Sequence, residues 1–576
     1  DNECSPLQPF KVIALSLALR SVRKALQMVD FRKRIAIIGA GASGLPAIRH
    51  ALLHNLEVVC FERGENIGGL WLFKPDKTDE STVIRSTVIN TSKEMNAYSD
   101  FPPLAEEANY MHNSRMFAYL DSYAEQFGLR EHISFDTEVL KACRCGDYDE
   151  TGLYSVTTQN RKSGKVSTDV FDFVIVAVGL HQSPSWPDEP WLKDSRFKGE
   201  IMHAHYYKDH QGFEGKRVVI VGLGNGAGDI AVELSGVAEV NLVSRRGAWC
   251  IPRLAECGLP ADLFRYTPVQ DVFKKWAPKW FLEKRMVRQV TRRFDHSLYG
   301  LKPAHNIFSA LVMVNDDLPV RIATGRIRLR PAVRDLDDCA VVFDDGTRME
   351  DVDVVIIATG YSFNFNFLED GNLLPVKDND VDLYQSVFPI DLKHNSLAFV
   401  GCIRAIGGNP IVFEMQARAA LAVFTGAGKL PSHIEMRREV EAARARLRKQ
   451  YFKSSRHTMI VPYQSNMDSL AKLIGCERPT ILSLLFFDPL LAAHTLVGPC
   501  VGYYYRLRGP FAWPGARAAI LGLPPRVAMG IHPSSDWSLF SMQNESVAIL
   551  VYSAAAMAIL IAMFLLTLQR VLAYIL

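Results

Sequence analysis

The sequence has almost no excess of charge: 65 lysines and arginines against 62 aspartates and glutamates leave a net charge of +3 over 576 residues. No basic stripe or RNA-type aromatic motif offsets that balance, so nucleic acid is not an expected partner. Cys-x-x-Cys is absent. The ten cysteines are scattered, and Cys143 and Cys145 form only a Cys-x-Cys. That spacing argues against a zinc finger and a dithiol redox pair, and fits reduced structural thiols better than a disulfide framework. No convincing Ser/His/Asp or Cys/His arrangement offers a nucleophilic triad. No convincing secretory signal is expected either, because Arg20, Arg23 and Lys24 cut off the apolar stretch Val12–Leu19 and no clean small-residue cleavage site follows.

What the sequence has in plenty is apolar surface, at 48% of residues, and length enough for two or three structural units. The run Val547–Leu568 carries no charged residue. A helix of about 20 such residues spans a hydrocarbon core, so 547–568 is expected to be a C-terminal transmembrane anchor rather than a buried helix. With no translocation signal read, the part of the chain ahead of the anchor is expected to face the cytosol. The stretch 481–505 is apolar but broken by Asp488, Pro489 and Pro499, which suits an interfacial patch or a buried tail better than a second span. Residues 1–31 are read as a poorly ordered extension, with Met28 just before the first strand.

Two stretches share one grammar. An apolar β run from Arg34 breaks at Gly39-Ala40-Gly41-Ala42-Ser43-Gly44 into a helical stretch, and a second β run ends at Glu62. In G-x-G-x-x-G the first glycine permits the tight turn and the second lets the backbone approach a pyrophosphate. The third lets helix and strand pack closely. The helix N-terminus supplies amide donors for the phosphates, and an acid about 20 residues on grips a ribose diol. Glu62 stands in that place. The second unit has Gly222, Gly224, Asn225, Gly226 and then Ala227, with alanine at the third glycine position, before Gly228 and Asp229. Its partner strand ends in Ser244-Arg245-Arg246 instead of an acid. An acid there would repel a 2′-phosphate, whereas arginine pairs with one, so NADPH is expected over NADH.

The expected fold is α/β with two Rossmann-like dinucleotide-binding domains, the NADPH domain inserted into the FAD domain, plus the C-terminal transmembrane helix. The reading divides the chain into an FAD-binding domain at 32–184 and 345–470, an NADPH-binding domain at 185–344, and a membrane-associated region at 471–546. Turn residues at Asp344-Asp345-Gly346 predict a small antiparallel excursion, and 435–450 predicts a solvated helix. Two nucleotide units in one chain imply hydride transfer from a nicotinamide to a flavin.

At this point the residues resemble the flavin-containing monooxygenases, also called dimethylaniline monooxygenases, from about residue 32 to the C-terminal anchor. The resemblance is carried by GAGASGL, CFERGENIGGLW (60–71), NTSKEMNAYSDFP (90–102), MHNSR (111–115), VGLGNGAGD (221–229), HSLYGLKP (296–303), NDDLP (315–319), IATGYSF (357–363) and the stretch 498–517. It implies FAD contacts at Gly39 to Ser43, Glu62, Leu70, Trp71, Asn90 and Thr91. It implies NADP contacts at Ile89, Asn90 and Gly226 to Asp229. Asn90 is the implied catalytic residue, its amide placed to hydrogen-bond an oxygenated flavin. The implied reaction is NADPH- and O₂-dependent oxygenation of soft nitrogen or sulfur through a flavin hydroperoxide. Baeyer–Villiger oxygenation of ketones uses the same intermediate, and a degenerate, membrane-tethered flavoprotein is a third reading that the intact turns and Asn90 oppose.

The histidine-rich stretch FKGEIMHAHYY (197–207) invites a metal. Residues two apart point oppositely on a strand, so His203 and His205 make a poor ligand pair, and no metal is expected. The stretch matches the family's pattern F-x-G-x-x-x-H-x-x-x-[YF] at Phe197, Gly199, His203 and Tyr207. By that resemblance His203 helps to seat NADPH. Two departures stand out: Gly226 where the family usually has serine, and Ala227 for the third glycine.

Overall fold

The computed structural model describes residues 32–532. The N-terminal extension and the Val547–Leu568 anchor therefore lie outside the described residues. Among the described residues no helix is long and apolar enough to cross a membrane.

Five parallel strands form the first sheet, in the order Leu397–Phe399, Phe173–Val176, Arg34–Ile38, Glu57–Phe61, Ile133–Ser134. Ile35 to Ile38 and Phe173 to Val176 are buried at every position. Central parallel strands are covered on both faces, so their side chains cannot alternate between core and water. Helix Gly44–Leu53 follows the first glycine turn, and the almost wholly buried helix Asn409–Phe424 packs against it.

The second sheet is also parallel, in the order Ile327–Arg330, Glu239–Val243, Arg217–Val221, Val354–Ile357, Glu200–His203. This corrects the division at 344/345. Strand Val354–Ile357 bonds to Arg217–Val221 on one side and Glu200–His203 on the other, so it belongs to the second sheet. The chain rejoins the first sheet only at Leu397–Phe399. Strands Phe173–Val176 and Val354–Ile357 are alike in composition and each flanks the glycine-turn strand of its own sheet, so hydrophobic pattern alone does not assign them. The chain leaves and returns through a short antiparallel ribbon that pairs Ser183–Pro184 with Tyr361–Ser362.

The antiparallel excursion is present, with Val333–Asp337, Ala340–Phe343 and Arg348–Met349 in one sheet and Gly346 at φ +81° in its turn. Helix His433–Gln450 opens on a Ser432/Glu435 capping box and is mostly exposed. The 481–505 stretch splits into helices Ile481–Phe487 and Pro489–Val497, and Asp488 caps the second by accepting from the Leu491 amide at 3.1 Å. Beyond them Tyr503, Tyr504, Tyr505 and Arg506 are buried. The Arg506 guanidinium lies 2.9 Å from Glu414 and 3.1 Å from Asp100, and Glu414 also meets His50 at 3.2 Å. Burial, more than the Glu414 bond offsets, drives the His50 imidazole down to about 3, so it is neutral at physiological pH. The nine cysteines among the described residues are all free.

Candidate functional site

The first and third glycines of the first turn have a steric reason. Gly39 sits at φ +103°, and a Cβ there would stand 2.7 Å from the Ala177 carbonyl oxygen. At Gly44 a Cβ would stand 1.9 Å from the Gly39 carbonyl oxygen, which no side chain tolerates. Gly41 faces Gly68 and Gly69 across a bare backbone cleft. The Gly68 amide donates to the Ala40 carbonyl at 3.1 Å, which stitches the turn carrying Leu70 and Trp71 to the glycine turn. Glu62 receives the Ala40 amide at 2.8 Å and the Gly64 amide at 2.9 Å. A carboxylate offers about four acceptor sites, so capacity remains for a ribose diol. Ser43 donates its hydroxyl to the Ala177 carbonyl at 3.1 Å, and the Ala42 carbonyl receives the Tyr98 hydroxyl at 2.7 Å.

The second turn repeats the device. Gly222 lies at φ +130°, with the Ala358 carbonyl oxygen 2.5 Å from a Cβ position. Gly224 precedes helix Asn225–Leu234. Asn225 accepts from the Val314 amide at 2.9 Å, and Asn315 donates to Asp229 at 3.1 Å. The departure in this turn has a local cause. Ala227 is accommodated in the core, and the close approach moves to Gly228, where a Cβ would stand 2.9 Å from Met313 Sδ. Around Gly226 nothing lies within 4 Å of a Cβ position. Burial pushes the Asp229 carboxyl up to about 6; Glu233 and Asp317 push the same way, Arg253 and Asn315 against. Both turns thus present glycine-lined cradles at helix N-termini, which fit the pyrophosphates of two dinucleotides.

Arg245 and Arg246 end the second unit's partner strand and are exposed. Arg245 pairs with Glu189 at 3.1 Å, and Arg246 lies 5.1 Å over the Phe452 ring. His203 closes strand Glu200–His203, buried between the rings of Trp186 and Tyr361 at 5.5 Å each. Burial, helped by His205, pushes it down to about 4, so it is neutral at physiological pH. The two histidines of FKGEIMHAHYY, and His210 just beyond it, are spent separately. His203 Nδ1 receives the His205 amide, His205 Nε2 bonds the Thr78 carbonyl at 2.8 Å, and His210 faces Glu233 at 3.5 Å. Among the described residues no group of His, Cys, Asp and Glu is placed to hold a metal ion.

Asn90 brings the two units together through a residue that the sequence reading missed. Arg253, from the second unit, donates to Asn90 Oδ1 at 2.8 Å, to the Ile89 carbonyl at 3.2 Å and to the Val88 carbonyl at 3.4 Å. Asp316 holds its other edge at 3.3 Å. Arginine only donates, so it faces the carbonyl oxygen of the Asn90 amide and leaves the NH₂ turned away and available. Thr91 contributes its carbonyl to Asn96, 2.8 Å away, and Ser92 gives its amide to Asp262 at 2.6 Å, which fixes the loop that carries Asn90. The only signal for Arg253 in the sequence is Asp316 inside NDDLP, an acid in an otherwise unassigned motif.

Residues 32–568 match the family described as flavin-binding monooxygenase-like. Flavin-containing monooxygenase 5 of Rattus norvegicus is 42% identical over 499 residues, covering 86% of this chain and 92% of that protein. Dimethylaniline monooxygenase [N-oxide-forming] 2 of the same species is 39% identical over 534 residues, covering 92% and 98%. Among solved structures, S-allyl-L-cysteine S-oxygenase from Allium sativum aligns with a TM-score of 0.59 at 24% identity, over 79% of this chain and 92% of that one. Cyclohexanone monooxygenase from Rhodococcus sp. Phi1 bound to NADP⁺ aligns with a TM-score of 0.57 at 17% identity, over 77% and 98%. At those identities the two structures bear on the fold alone. The family match and the curated relatives carry the assignment: this chain belongs to the flavin-binding monooxygenase-like family and is a flavin monooxygenase.

Proposed function

We propose that the protein uses FAD, NADPH and O₂ to oxygenate soft nucleophilic nitrogen or sulfur in small lipophilic substrates. The observation that carries this is the Asn90 amide, locked by Arg253 where the two nucleotide units meet. When bound, the flavin supplies acceptance of hydride from NADPH and activation of O₂. The chain's share is to hold both cofactors at the glycine turns and to present one oriented amide donor where charge develops. The names of the amine- and sulfur-oxygenating relatives support the substrate class.

The purified protein is expected to be yellow and to consume NADPH in preference to NADH; equal use of the two would remove the role of Arg245 and Arg246. Asn90→Ala should keep its flavin but divert most NADPH consumption to hydrogen peroxide, read by peroxide assay against product. Unchanged oxygenation would sink the Asn90 role. A panel of amines, sulfides and ketones decides between heteroatom and Baeyer–Villiger chemistry.

The same proposal places the enzyme at the endoplasmic reticulum membrane, held by 547–568 with its catalytic part in the cytosol. Helix Ile481–Phe487 exposes Phe486 and Phe487 at 78% and 87%, and Trp276 and Trp280 on two nearby segments are 85% and 65% exposed. Helix Pro489–Val497 packs against the helix that ends at Trp276. Such apolar surface with aromatic edges suits a lipid interface. Truncation after Asn544 should release a large part of the protein from pelleted membranes, and full retention would transfer the anchoring to this surface.

A further inference from the structure

Arg456 belongs to the first unit by connectivity. It precedes strand Ile460–Pro462, which pairs with Arg404–Ile406 just after the first sheet's last strand. Its guanidinium nevertheless reaches the second glycine turn. Arg456 Nη2 lies 2.7 Å from the place a Cβ on Gly224 would occupy, and Nε lies 3.9 Å from that of Gly360. Gly224 opens helix Asn225–Leu234, so a cation faces the positive end of a helix dipole, which is unfavourable without an anion between them.

The surroundings deepen the mismatch. Arg245 repels Arg456 and Arg456 repels Arg404, and with burial acting first each charge makes its neighbour less willing to stay protonated. Among the described residues neither Arg404 nor Arg456 has a carboxylate partner, and the nearby Glu189 is taken by Arg245 at 3.1 Å. With Glu189 on Arg245, the neighbouring Arg404 and Arg456 leave about two positive charges unpaired, and two negative charges are what a pyrophosphate carries.

We propose that Arg456 grips the pyrophosphate of the nicotinamide nucleotide from the flavin unit's side, so that the nucleotide is held by both units at once, and that Arg245 is left for the 2′-phosphate. The inference rests on the reading of the second turn as the NADPH site. The pyrophosphate belongs at the helix N-terminus, where Gly224 and Arg456 meet, and the 2′-phosphate belongs at the end of the partner strand, where Arg245 stands.

The test is calorimetric titration of the FAD-loaded enzyme with NADP⁺ and, separately, with 2′-AMP, which carries the 2′-phosphate but no pyrophosphate. Arg456→Gln should weaken NADP⁺ ten- to hundred-fold, the size expected for a charge-assisted hydrogen bond, and leave 2′-AMP unchanged. Arg245→Gln should weaken both ligands. Arg456→Met, a second uncharged variant, should match Arg456→Gln, and unchanged flavin absorbance reports an intact fold. NADP⁺ affinity unchanged in both Arg456 variants would overturn the proposal, as would a parallel loss of 2′-AMP affinity, which would move the contact to the 2′-phosphate. Wild-type enzyme that binds neither ligand would instead overturn the reading of the second turn, and the role of Arg456 with it.

Discussion

Replacing Asp229 by asparagine should make the protein more stable at neutral pH and change little in acid. Asp229 is part-buried on the first turns of the helix after the second glycine turn, and desolvation lifts its carboxyl from 3.8 to about 6. Keeping it ionised above that value costs roughly 3 kcal/mol relative to the unfolded chain. The sign follows from linkage. A carboxyl raised in the folded state contributes its stability in full below about pH 4, and that contribution is gone once the pH has risen past 6. Asparagine is the same shape, retains the acceptor for the Asn315 amide, and does not ionise. Asp229→Asn and wild type should therefore melt together only below about pH 4. They should separate between about pH 4 and pH 6 and hold a constant gap above that. For a unit of 150–250 residues 1 kcal/mol moves the midpoint by about 2–4 °C, so a gap of roughly 6–12 °C is expected. Flavin fluorescence melting across buffers from about pH 3.5 to 8 measures it. A gap independent of pH, or a variant less stable at pH 8, would refute the burial argument.

Two glycine substitutions should behave oppositely. Gly39→Ala places a Cβ 2.7 Å from the Ala177 carbonyl oxygen at φ +103°, so the protein should lose most of its bound flavin, read as the ratio of 450 to 280 nm absorbance. Gly226→Ser enters open space and adds a hydroxyl beside the second cradle. It should tighten NADP⁺ several-fold, about the worth of one hydrogen bond, and weaker binding would contradict the free geometry around Gly226.

The glycine turns were legible because their cause is local. A strand, a reversal and a helix within a dozen residues leave only glycine at Gly39, Gly44 and Gly222, and the sequence displays that directly. Sheet membership was less legible. Val354–Ile357 and Phe173–Val176 read alike, and only hydrogen bonding to Arg217–Val221 assigns the former to the second sheet. The site's cross-unit contacts were not legible at all. Asn90 and Arg253 stand 163 positions apart, and no spacing rule links an asparagine in one unit to an arginine in another. Arg456 escaped notice for the same reason. The shift of the close helix contact from residue 227 to Gly228 became intelligible once Met313 was seen against it.

The burial of Arg506 has a mechanical consequence. Its guanidinium ties the polypeptide that leads toward the C-terminal apolar run to Glu414, and Glu414 ties it to His50 on the helix that begins at the flavin turn. Any pull on the tail is thus transmitted by a short chain of polar contacts to the backbone expected to cradle the flavin's phosphates. A version cut short of Arg506 would not be a lighter enzyme freed of its tether. It would leave the buried Glu414 without the Arg506 guanidinium, with Asp100 held by Arg49 alone, and the flavin unit would be the first to feel the loss.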